Sequence, residues 1–90
     1  MNADRQTEIL LELLRQILLR CRLLARRGGE DNILQLYALI DAAHNIPQAI
    51  SGEEWAIKDI TGRLQVFGTK YGGGIIKKPL DELIAVLNNK

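Results

Sequence analysis

The sequence predicts an all-α protein, a compact bundle of about four helices in a single domain over residues 1–90. Three observations carry that expectation. Apolar residues make up 47% of the chain but aromatics only 4%, so Leu and Ile must build the core. Sheets draw more on β-branched and aromatic side chains. The apolar residues recur at three- and four-residue spacing in four stretches. Between those stretches stand Gly28-Gly29, Pro47 and Gly72-Gly73-Gly74, each able to end a helix. A chain of this size buries roughly 60–65% of its unfolded surface, enough for one modest core.

The first helix is expected over residues 4–27. Ile9, Leu10, Leu13, Leu14, Ile17, Leu18, Cys21 and Leu24 form its core arc, while Leu19 and Leu23 fall outside it. A helix apolar on nearly two sides is central in its bundle or shares one side with another chain. Arg26 and Arg27 complement the negative end of the helix dipole. The second helix starts at Glu30-Asp31, with Ile33, Leu36, Tyr37, Ile40, Ala43 and His44 as its expected core face. Pro47 disfavours helical backbone at Ile46, so this helix should end near residues 44–45, and residues 46–50 form a connector of about one turn. For the third helix, Ser51-Gly52-Glu53-Glu54 reads as a capping box, with Ile57, Ile60, Leu64, Phe67 and Tyr71 facing inwards. Gly62, in mid-helix, costs about 1 kcal/mol against Ala unless something packs closely on it. The fourth helix runs over residues 79–88, with Leu80, Leu83, Ile84 and Leu87 on one face.

Chemistry is sparse. His44 is the sole histidine, with Asp41 and Tyr37 one and two turns before it. The spacing puts the three on one flank. A lone histidine at a helix end is expected to bond a neighbour and hold a helix–loop junction, together with Asp41, Asn45 and Pro47, so its replacement should cost stability. No catalytic residue is assigned. One histidine and one cysteine give no zinc-type ligand spacing, so no metal and no cofactor is expected. Cys21 reads as a small buried hydrophobe. Gly72-Gly73-Gly74 with Lys77-Lys78 lacks the spacing of a phosphate loop.

The net charge of +1 argues against a general nucleic-acid binder, which needs a basic excess to neutralise phosphates. Arg15, Arg20, Arg22, Arg26 and Arg27 are a local basic cluster that keeps a nucleic-acid regulator as an alternative. Glu53-Glu54 at the start of the third helix would meet phosphates with the wrong sign. The opening residues lack the basic-then-apolar layout of a signal peptide, and charges interrupt every apolar run. A cytoplasmic protein outside the membrane is therefore expected. What is left is apolar surface beyond the core: Trp55 and Val66 on the back of the third helix, with Asp41, Glu53, Glu54 and Asp59 as an acidic rim for a basic protein partner. A homodimer through Leu19 and Leu23 is a third reading.

Residues 37–47, Tyr-Ala-Leu-Ile-Asp-Ala-Ala-His-Asn-Ile-Pro, resemble a motif of small helical bacterial proteins, roughly Leu-Ala-Asp-Ala-x-His-Asn-x-Pro. Asp41, His44, Asn45 and Pro47 stand in the motif positions. Some of those proteins look like immunity proteins encoded beside secreted or contact-delivered toxins. The resemblance covers about a dozen residues. It implies a helical fold and a protein that neutralises a cognate toxin, such as a nuclease domain, by covering its active site without catalysis.

Overall fold

The computed structural model describes the backbone of residues 2–89 and the side chains of residues 5–89. The chain forms α1 (Asn2–Arg27), α2 (Glu30–His44), the single-turn α3 (Ile46–Ile50), α4 (Glu54–Tyr71), a 3-10 turn (Gly74–Ile76) and α5 (Lys77–Asn88). There is no strand among the described residues. The four long helices close a ring: α1 packs on α2, α2 on α4, α4 on α5, and α5 on α1. Thr7 lies beside Ile50, Asn45 bonds Asp59, and Arg5 reaches Glu82, so successive helices run antiparallel. This is an up-down-up-down four-helix bundle. The long α1 sets the 42 Å length of the molecule.

The core holds Ile9, Leu10, Leu13, Ile17 and Leu24 of α1, Leu39 and Ala42 of α2, and Ile46 and Ala49 of α3. From α4 and beyond come Ala56, Ile57, Ile60, Leu64, Phe67, Ile76, Leu80 and Leu83. The expected faces of α4 and α5 therefore stand, with Tyr71, Ile84 and Leu87 half-buried at the edge. Pro47 sits in the first turn of α3, where its missing N–H costs nothing.

Three expectations are corrected. On α1, Leu18 lies about 140° round from Leu13 and is exposed, because the neighbouring helices cover only the middle of the apolar arc. On α2 the inward face is offset by one residue. Leu39 and Ala42 are buried and Leu36 and Ala43 half-buried, whereas Ile33, Tyr37 and Ile40 are exposed, as is His44. Small Ala42 and Ala43 let α2 lie close to its neighbours, and the bulkier residues are left outside. The capping box does not form: α4 has no side-chain cap, and the Ser51 hydroxyl donates to the Pro47 carbonyl at 3.1 Å instead. Ser51 thus closes α3 rather than opening α4.

Gly62 is exposed, and a Cβ built there would meet nothing within 4 Å. Gly62→Ala should therefore raise stability by about 0.5–1 kcal/mol, read as a higher denaturation midpoint at unchanged m-value. A lower midpoint would show a contact at this position that the fold does not contain.

Candidate functional site

The residues expected to hold the helix–loop junction divide in two. Asn45, at the end of α2, donates its Nδ2–H to Asp59 Oδ2 at 2.7 Å. Asp59 also accepts from Arg63 Nε at 3.0 and 3.1 Å. This clamp ties the α2–α3 corner to α4. Asp41 and His44 take no part in it; both are exposed and make no hydrogen bond or ion pair among the described residues. Tyr37, Asp41 and His44 share one flank of α2, as their spacing requires, but the flank faces outwards. His44→Ala is consequently expected to change stability by less than about 0.5 kcal/mol, and a drop in the melting temperature would restore the junction role.

The back of α4 carries the other candidates. Trp55, Asp59, Gly62 and Val66 recur at three- and four-residue spacing and form one stripe. Trp55 is 54% and Val66 67% exposed. The indole N–H of Trp55 donates to Glu53 at 3.2 Å, which fixes the ring across the start of the helix. Beside the stripe, α2 and α4 enclose a groove of about 420 Å³ lined by Ala38, Asp41, Gly62, Val66 and Phe67, with Arg63 and Lys70 at its rim. The rim is mixed rather than acidic. Glu54 pairs with Lys58 at 3.8 Å and Asp59 with Arg63, which leaves Glu53 as the acid of this group without a cation among the described residues.

The arginines also divide. Arg20 turns into the bundle and crosses it to the end of α4. Its Nη1 donates to the carbonyls of Gly72 and Gly73 at 2.8 and 2.9 Å, and its Nη2 to Tyr71 at 3.4 Å. Its guanidinium carbon lies 4.7 Å from the centre of the Phe67 ring. These carbonyls are the negative end of the α4 dipole, so a cation there is doubly favoured. Burial, and then the nearby charge of Arg27, lower the Arg20 pKa. Gly74 has φ +54, and a Cβ on it would meet Arg20 Nη1 at 3.0 Å. Glycine is needed there both for the backbone and for the approaching guanidinium. One signal for this role was present in the sequence: at 100° per residue, Arg20 falls between Ile9 and Leu13, inside the apolar arc of α1.

Cys21 is half-buried and free, and burial pushes its thiol pKa up. Less thiolate is present near neutrality, so alkylation of the native protein at pH 8 should run several-fold slower than in denaturant. Equal rates would place the thiol in open solvent. Among the described residues no group of three or more metal-ligating side chains comes together, and no helix is long and apolar enough to cross a membrane.

Compared with known proteins, the chain matches no family model, no curated protein and no solved structure.

Proposed function

We propose that this chain is a non-enzymatic binding protein, and that it neutralises a cognate bacterial toxin by covering the toxin's active site. The observation that carries the binding role is the α4 stripe. Trp55 and Val66 are large and exposed, Gly62 lies between them with nothing packed on it, and the groove against α2 runs alongside. Gly62 weakens the free helix, yet no contact among the described residues uses the space it leaves. A partner backbone approaching between Trp55 and Val66 would use it. Trp is also the residue type most enriched at binding hot spots. The toxin reading rests on the motif of residues 37–47, and the exposure of Asp41 and His44 supports a recognition role for that motif.

Co-expression with the product of a neighbouring toxin gene tests this reading. The chain should restore growth and co-purify with the toxin. Trp55→Ala should weaken the complex by at least about 2 kcal/mol, roughly thirtyfold, and Gly62→Arg should abolish it with the fold intact. An unrelated neighbour, or toxin binding that survives both substitutions, would end it. The nucleic-acid alternative loses Arg20 to the carbonyls at the end of α4 and keeps Arg15, Arg22 and Arg26 on the exposed side of α1. It requires oligonucleotide binding at low salt that falls steeply as salt is added.

A further inference from the structure

We propose that the chain forms a two-fold symmetric dimer through the outer face of its α1–α2 hairpin. This face lies on the other side of α2 from the α4 stripe and meets the groove beside that stripe only at Asp41. It is built from side chains that the bundle leaves uncovered: Leu11 and Leu18 of α1, and Ile33, Tyr37 and Ile40 of α2, which are 51%, 58%, 44%, 62% and 54% exposed.

Helical geometry sets their order across the face. Leu14 and Cys21 of α1 and Leu36 and Ala43 of α2 are half-buried between the two helices. Leu11 and Leu18 follow on the outer side of α1, as Ile33 and Ile40 do on α2, and Tyr37 rises beside them. The result is one apolar strip along the hairpin seam, on the order of 500 Å² of exposed surface. That is at the upper end of what a monomer leaves contiguous. With its charged borders it approaches the roughly 800 Å² per partner of a standard interface.

The borders identify the occupant. Further round α1, away from α2, stand Arg15, Arg22 and Arg26, with Glu8, paired to Arg5 at 3.9 Å, two turns before Arg15. Further round α2, away from α1, stand Glu30 and Asp41. These three arginines, Glu30 and Asp41 are exposed, and none of them has an ion pair among the described residues. The strip therefore has a basic border on one side and an acidic border on the other. A two-fold axis along the hairpin lays α1 of one copy on α2 of its partner, so each basic border meets an acidic one.

The levels match as well. The turn at Gly28-Gly29 and the neighbouring positions of Thr7 and Ile50 put Arg15 level with Asp41 and Arg26 level with Glu30. The two-fold operation preserves level, so Arg15 meets the partner's Asp41 and Arg26 the partner's Glu30, each pair twice. A surface complementary to itself in this way fits a second copy of this chain.

Sedimentation equilibrium of the full chain across the micromolar range tests the dimer. The wild type should sediment as a dimer. Arg15→Glu and Asp41→Arg should each raise the dissociation constant at least about tenfold with helix content unchanged, and the double variant R15E/D41R should recover most of the loss. Trp55→Ala, at the start of α4 and outside the groove that Asp41 lines, should leave the dimer intact, which separates this result from the fate of toxin binding. A wild type that stays monomeric throughout that range, an open-ended assembly, or a double variant as weak as the singles would overturn the proposal.

Discussion

Arg20→Ala should destabilise the protein by about 2 kcal/mol and lower its melting temperature by about 8–16 °C. Hydrogen bonds to charged groups contribute about 1.5–3 kcal/mol, and Arg20 makes two good ones, an exposed one to Gly72 and a half-buried one to Gly73. Its contact with the Phe67 ring adds about 0.5–1 kcal/mol. Water can reach the freed carbonyls, since Gly72 is exposed, and this keeps the loss at the lower end. Arg20→Lys should recover less than half of it. An ammonium is a point charge and cannot span the carbonyls of Tyr71, Gly72 and Gly73 as the planar guanidinium does. Denaturation of the three proteins gives the answer. A loss below about 0.5 kcal/mol for Arg20→Ala would make this residue an ordinary surface arginine.

The one-residue offset of α2 has an equally large consequence. Leu39→Ala should cost about 3–4 kcal/mol, because Leu39 is completely buried and its removal leaves a cavity. Leu34→Ala, the same substitution in the same helix, should cost less than about 0.5 kcal/mol, because Leu34 is 57% exposed. Helix propensity is nearly the same in both cases, so the difference measures burial alone. If the two losses were comparable, α2 would be turned towards the face that its largest apolar residues suggest.

Those two results separate what could be read along the chain from what could not. The start and stop signals were local. Gly28-Gly29, Pro47 and Gly72-Gly73-Gly74 interrupt helices because of their own backbone chemistry, and the helices end beside them. The inward face of α4 was also legible, since Ile57, Ile60, Leu64 and Phe67 are the large apolar residues on one side of a helix whose other side is mostly polar. The face of α2 was ambiguous for the opposite reason. Large apolar residues lie on its outside and alanines within, so hydrophobicity alone points the wrong way. Ser51 and Glu54 had the spacing of a capping box, but the Pro47 carbonyl competes for the same hydroxyl.

The candidate surfaces follow the same division. Trp55 and Val66 were identifiable because they oppose an unambiguous core face, and both are exposed. The neutralisation of Glu54 and Asp59 by Lys58 and Arg63 was present as i, i+4 spacing. The hairpin strip was hidden, because it depends on the rotation of α2.

The all-α class, the helix breaks and the inward face of α4 are each set by residues within a few positions of one another, and so could be read along the chain. The turn of α2 about its axis, and the capping by Arg20 of a helix some fifty residues further along the chain, emerge in the assembled bundle alone. Both depend on which neighbour fills a given space. That choice is made by packing between distant segments, and no local spacing encodes it.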